Sequence, residues 1–121
     1  MGIEFLMVFI GGALGAVCRY GISVQMKRMI STEFPLATFL INLTGSFFLG
    51  LLMAASSDEP FRLLLGTGFL GGFTTFSTFQ VENVTLYLRK KYLTLLGYVL
   101  LSVGMCILFA YIGLLLGIQL R

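Results

Sequence analysis

The stretch Gly66-Thr67-Gly68-Phe69-Leu70-Gly71-Gly72-Phe73-Thr74-Thr75-Phe76-Ser77-Thr78-Phe79-Gln80-Val81-Glu82 decides how this chain is read. It lies in the third of four hydrophobic segments, but where a plain membrane helix would carry Leu and Val it carries four glycines, five Thr or Ser hydroxyls and a closing carboxylate. Gly71 and Gly72 predict a release of the backbone from helix. Inside a bilayer such a release survives only where protein or a water-filled cavity satisfies the freed N–H and C=O groups. Half-helix ends of that kind present carbonyls to cations and N–H groups to anions, which is how broken membrane helices build ion sites. The expectation is an ion path, with the other segments as its walls.

The bulk numbers agree with a membrane setting. Of 121 residues, 58% are hydrophobic and 11% charged, with a mean hydropathy of +1.00, whereas a soluble domain is roughly half apolar and about one quarter charged. A crossing helix needs about 20 apolar residues. The length therefore accommodates one all-α domain over residues 1–121 with spans at Glu4–Met26, Leu36–Ala55, Leu63–Leu88 and Leu93–Leu120. The first is not read as a signal peptide, because Glu4 stands where a basic n-region would be and the apolar run is too long.

Several chemistries have nothing to stand on. Both cysteines, Cys18 and Cys106, fall inside apolar spans, and there is no His, so a zinc site, a thiol redox pair and a Cys-His nucleophile are not expected. Without a titratable pair or a nucleophile–base set, the chain does not read as an enzyme. A pI near 9.1 would suggest nucleic acid in a soluble protein. Here the basic residues sit in the connections and report topology instead.

Taken in order, the spans hold a small set of polar residues. Gly11 and Gly15 in the first form a small-xxx-small pair that lets another helix approach closely. Arg19, in the same span, costs roughly 2.5–3.5 kcal/mol at a helix centre on insertion scales, so it either snorkels toward Lys27 and Arg28 or serves a vestibule or interhelix contact. Pro35 is a sensible start for the second span. There Thr38 and Asn42, four apart, share a helical face. The Asn42 amide has two N–H donors for an anion; an ordinary interhelical hydrogen bond is the plainer use. Ser56-Ser57-Asp58-Glu59-Pro60 closes that span with turn chemistry.

In the third span Phe76 and Phe79 are three apart, directly after the expected break. Aromatic rings have a negative face and a positive edge, so two edges aimed into a narrow path receive an anion without gripping it as a Lys would. Conduction requires binding that is adequate yet releasable. A core or lipid-facing Phe stripe is the plainer reading. Tyr98, Ser102 and Cys106 recur at intervals of four and draw a polar track along the fourth span.

Together, Gly11-Gly12-x-x-Gly15-x-x-x-Arg19-Tyr20, Asn42 with Gly45, and Gly68 through Phe79 resemble the Fluc/CrcB family of bacterial fluoride channels, over all four spans in order. The resemblance implies four transmembrane helices with a break in the third, assembled as an antiparallel two-subunit channel with two fluoride pores. It also implies one structural Na+ at the dimer interface, bound but not transported, held by the backbone carbonyls of Gly71 and Thr74 of both subunits. On the same basis Phe76 and Phe79 line the fluoride sites with their ring edges and Asn42 is the amide donor. Thr38, Tyr98 and Ser102 complete the pore set, and Cys106 stands where the family pattern has a hydroxyl. Glu82 falls near a pore mouth and Arg19 near the vestibule. The implied function is passive exit of fluoride from the cell, lowering its toxicity: HF enters uncharged and dissociates, and the anion leaves down the membrane potential.

Charge counting sets the orientation. The connections after spans one and three hold Lys27, Arg28, Arg89, Lys90 and Lys91, against Arg62 and Arg121 on the other side. That bias puts the basic loops in the cytoplasm and both termini outside. A chain that inserts both ways needs a nearly even count, so the expectation is a fixed orientation and pairing with an oppositely oriented paralogue, with self-pairing disfavoured. Two other readings compete. A small four-helix multidrug exporter wants a carboxylate deep in a span, and here Glu4 is at an edge and Glu82 is the other candidate. An accessory subunit of a larger membrane complex leaves the broken third span unexplained.

Overall fold

The structure is a computed structural model that describes residues 2–30 and 34–120. Helix α1 runs Gly2–Met29, with Glu4 in its first turn and Lys27 and Arg28 in its last, each charge opposing the helix dipole at its own end. Helix α2, Leu36–Ala55, starts directly behind Pro35 and stops where Ser56 turns extended. Helix α6, Tyr92–Leu120, is the longest. These three are long and apolar enough to cross a membrane, and together they make the chain an all-helical, multi-pass membrane protein. Arg121, used in the charge count, lies outside the described residues, as does part of the connection between α1 and α2.

The stretch between α2 and α6 is segmented. A short α3, Glu59–Phe61, leads into a π-helical segment, Arg62–Leu70, followed by α4, Gly71–Phe73, and α5, Ser77–Leu88. Here the structure departs from the sequence reading. Gly71 is helical, with φ −63° and ψ −40°, and Gly72 lies within α4. The backbone leaves helix at Thr74, whose φ −78° and ψ 157° are extended. Glycine at 72 serves a close approach instead: a Cβ there would run into the Gly12 carbonyl of α1.

That approach explains the assembly. Helix α1 packs along the π segment and α4, and α2 packs along α6. At the first seam Gly11 and Gly15 are buried, and a Cβ on either would strike the backbone of Leu64 or Phe69. At the second, Gly113 and Gly117 of α6 sit against the Phe47 and Leu51 carbonyls, and Gly50 sits against that of Ala110. Small residues let backbones meet where lipid supplies no hydrophobic drive between helices.

The α5–α6 turn is tight. The Lys90 N–H donates to Tyr87 O at 3.0 Å and the Lys91 N–H to Leu86 O at 2.9 Å, the two bonds of a Schellman cap. Lys90 takes the left-handed conformation at φ 61°, a position usually given to glycine. Lys27 and Arg89 line one shared cleft, so the basic ends of α1 and α5 lie at the same end of the molecule.

Candidate functional site

The departure from helix at Thr74 is held by side chains. Asn42 of α2 faces it: its Nδ2 donates to Thr75 O at 2.9 Å, and the Thr75 N–H donates to its Oδ1 at 2.8 Å. The amide thus gives Thr75 what a neighbouring helical turn would give, and one of its two N–H donors is spent on that pairing. Thr75 in turn caps α5, accepting the Thr78 N–H at its Oγ1 over 3.2 Å, and its hydroxyl reaches Thr78 Oγ1 at 3.1 Å. The Thr75-x-x-Thr78 spacing is an N-cap pattern, a signal present in the sequence but overlooked there.

Two backbone carbonyls are released as a result. In a helix the Gly71 carbonyl accepts from residue 75 and the Thr74 carbonyl from residue 78. The Thr75 N–H goes to Asn42 and the Thr78 N–H to Thr75 Oγ1. The carbonyls that the resemblance assigns to a cation are therefore the two whose helical donors are diverted. Carbonyl oxygens are hard ligands suited to Na+, so the backbone chemistry fits that ion. The Thr74 hydroxyl is engaged elsewhere, donating to Leu70 O at 2.9 Å.

A cleft of about 290 Å³ opens beside the break. Its walls bring together Asn42 from α2, Thr74 and Thr75 from the break, Phe76 and Phe79, and Ser102 and Cys106 from α6. The two phenylalanine rings are 6.0 Å apart and tilted by 39°; they differ sharply in exposure, Phe76 at 71% and Phe79 at 8%. Ser102 is buried, and its Oγ has no hydrogen-bond partner among the described residues. An unpaired buried hydroxyl costs about 1–3 kcal/mol, which a guest in the cleft would recover.

Tyr98 stands one turn before Ser102 and is fully buried. Its ring lies 5.0 Å from that of Phe79 and 5.3 Å from that of Phe34, and its hydroxyl donates to Glu82 Oε1 at 2.9 Å. Thr38 is buried beside the same hydroxyl. Glu82 faces a second cleft, of about 210 Å³, which it shares with Lys27 and Arg89. The Phe79–Tyr98 pair therefore lies between an inner cleft lined by an amide, hydroxyls and phenyl rings and an outer one carrying charge. That Lys27 shares a cleft with Glu82 was not legible in the sequence, because α1 and α5 are far apart in the chain, whereas Arg89 caps the end of Glu82's own helix.

Two residues stand apart from this group. Gly71 does not line the cleft; it is exposed, three residues ahead of Thr74. Arg19 is half-buried on α1, with its Nε enclosed and unpaired among the described residues, and the structure does not bring it to either cleft. Cys18 is exposed and Cys106 half-buried, both as free thiols.

Comparison with known proteins shows what the chain is similar to. The family profile described as CrcB-like protein, Camphor Resistance (CrcB), matches residues 6–114. The protein named fluoride-specific ion channel FluC 1 of Listeria innocua is 48% identical over 118 residues, covering 98% of this chain and 100% of that relative. FluC 2 of Bacillus thuringiensis is 49% identical over 115 residues, with 95% and 98% covered. FluC 3 of Bifidobacterium longum is 45% identical over 112 residues, with 89% and 93% covered.

Proposed function

The chain belongs to the CrcB family, and from that membership and the two clefts together we propose that it is a fluoride-specific ion channel through which the anion leaves the cell passively. The observation that carries the reading is the inner cleft, where Asn42, Phe76, Phe79 and the unpaired Ser102 hydroxyl converge. Fluoride is small and strongly hydrated, so a path must replace its water with several weak donors that also let go. One free amide N–H, a hydroxyl and ring edges are such a set. Full-length relatives carry a channel name, so neither an enzyme nor a small multidrug exporter is the reading.

The order of residues gives the path a direction. Lys27 and Arg89 draw anions to the outer cleft, and Glu82 beside them is occupied by the Tyr98 hydroxyl. Beyond the Phe79–Tyr98 pair the anion meets Asn42, Phe76 and Ser102. The membrane potential supplies about 2.3 kcal/mol per charge per 100 mV, enough to drive exit without a pump. With the basic end in the cytoplasm, the outer cleft is the entry for fluoride leaving the cell.

The working unit is a pair of chains in antiparallel orientation, each crossing the membrane four times with the third crossing broken at Thr74–Phe76. A second subunit covers surface that one chain leaves open, including Phe76 and Gly71. The Gly71 and Thr74 carbonyls of both subunits would hold one structural Na+ between them, and it would supply fixed positive charge there. The five basic residues at one end favour a fixed orientation and an oppositely oriented paralogue as partner. Arg19 belongs to the vestibule in this arrangement. Accessibility of tags at both termini in intact cells tests the orientation; a mixed population from this chain alone sinks the paralogue pairing.

The deciding experiment is fluoride efflux from liposomes reconstituted with the purified chain, read with a fluoride electrode beside chloride-loaded controls. Fast, chloride-blind efflux supports the channel and shows that one chain suffices. If efflux is absent both alone and after co-expression with an oppositely biased paralogue, the channel reading is wrong.

A further inference from the structure

Asn42 is engaged from two sides. On one side both of its amide atoms are committed to the Thr75 backbone; on the other it lines the cleft proposed for fluoride. We propose that Asn42 is a positioning residue for the cation site: by taking the Thr75 N–H it keeps the Gly71 carbonyl free, so the same side chain that serves the anion path also holds the cation site open. This rests on the reading of Gly71 and Thr74 as Na+ ligands.

The physical argument is one of competing partners. Thr74 is still bonded in helical fashion, its N–H donating to Leu70 O at 3.0 Å. The next N–H in register, that of Thr75, would continue the helix by closing onto the Gly71 carbonyl. Buried backbone N–H groups take a partner nearly always, and Thr75 is buried at 7% exposure. Asn42 Oδ1 at 2.8 Å is the partner that prevents the closure, and the reciprocal Nδ2 bond to Thr75 O fixes the amide's orientation. Without the amide, the nearest remaining acceptor in register is the carbonyl that a cation needs.

A proline at position 75 separates this role from the anion-binding one. Proline has no N–H to give to Gly71, and its ring opposes continuation of the helix. The residue before a proline adopts extended backbone, which Thr74 already has at φ −78° and ψ 157°. The proline also removes the Thr75 Oγ1 that holds the Thr78 N–H off the Thr74 carbonyl, so N42A/T75P is read against T75P alone: neither has an N–H at position 75 that could close on Gly71, and the two differ only by the amide at position 42.

The experiment uses the full chain purified in detergent. Its thermal unfolding midpoint is titrated with NaCl against N-methylglucamine chloride at constant ionic strength, with fluoride efflux measured in parallel. The wild type is expected to gain stability with Na+. N42A is expected to need at least tenfold more Na+ for the same gain, with efflux lost. On the T75P background, N42A is expected to leave the Na+ midpoint unchanged while efflux stays lost. An unchanged Na+ midpoint in N42A alone overturns the proposal, as does a further tenfold weakening when N42A is added to T75P. If N42A does not fold, the T75P pair decides alone: equal Na+ midpoints in T75P and N42A/T75P support the role, and a weaker midpoint in the double variant, or its failure to fold where T75P folds, overturns it. A wild type blind to Na+ overturns the cation reading itself and this inference with it, whereas a Na+ response unchanged in N42A removes the inference only.

Discussion

The Tyr98 hydroxyl donates to Glu82 Oε1 at 2.9 Å while its ring lies 5.0 Å from that of Phe79. One buried side chain thus ties the carboxylate of the charged outer cleft to the phenylalanine of the inner one. Tyr98→Phe keeps the ring and removes the bond. A hydrogen bond to a charged group contributes about 1.5–3 kcal/mol, so a lower unfolding temperature is expected. The freed carboxylate then faces incoming anions, and efflux is expected to fall several-fold. Efflux at the wild-type rate would show that Tyr98 is only a packing residue.

The two phenylalanines separate stability from transport. Phe76 is mostly exposed in the single chain, so Phe76→Ile is expected to change its stability by no more than about 0.5 kcal/mol while cutting fluoride efflux at least tenfold. Phe79 is buried between Phe76 and Tyr98, so Phe79→Ile is expected to cost about 1–3 kcal/mol through altered packing shape and also to lose efflux. Thermal unfolding and liposome efflux on both variants check the split. Undiminished efflux in Phe76→Ile would return its ring to the role of filler.

Thr74→Ala removes a hydroxyl that donates back to Leu70 O at 2.9 Å and leaves the backbone carbonyl in place. A loss of about 0.5–1.5 kcal/mol is expected, with the Na+ response retained. Thr75→Ala is expected to cost more, because it removes the α5 cap, worth about 1 kcal/mol, together with the bond to Thr78 Oγ1. Unfolding temperatures measured with and without Na+ distinguish the two.

Lys90 holds a left-handed backbone at φ 61° in the Schellman cap that ends α5. A side chain in that conformation costs roughly 1–2 kcal/mol, and glycine has no such penalty. Lys90→Gly is expected to raise stability by about 1 kcal/mol. It also lowers the basic count of that loop by one, so tag accessibility measured on the same variant is expected to show a weaker orientation bias.

Gly72 meets the Gly12 carbonyl so closely that a Cβ has no room against backbone. Gly72→Ala is expected to cost at least about 1–3 kcal/mol by forcing α1 away from α4. Gly97→Ala, at a position on α6 with open space around it, is the control and is expected to leave the fold of the single chain unchanged. Size-exclusion profiles and unfolding temperatures of the two variants provide the comparison.

Much was legible in the sequence because the bilayer is a demanding solvent. Apolar runs had to be helices, since no other backbone arrangement of this length satisfies its own hydrogen bonds in lipid. Polar residues inside apolar spans had to find surroundings that satisfy them, and Asn42 and Ser102 line one cleft together with Phe76 and Phe79. The third segment's unusual composition marked where the fold would be irregular. What the sequence misplaced was the cause of the irregularity. Gly71 and Gly72 looked like the breakers because glycine permits departure from helix, yet permission is not a reason to depart, and both are helical. The break falls at Thr74–Phe76 because a side chain 33 positions earlier, on another helix, outcompetes the helix for the Thr75 N–H. Likewise the sharing of one cleft by Lys27 with Glu82 and Arg89 depends on α1 and α5 ending on the same side of the bundle. Local composition determined the helices and the residues that had to be satisfied inside them; the partner each of those residues found was decided only when helices distant in sequence packed together.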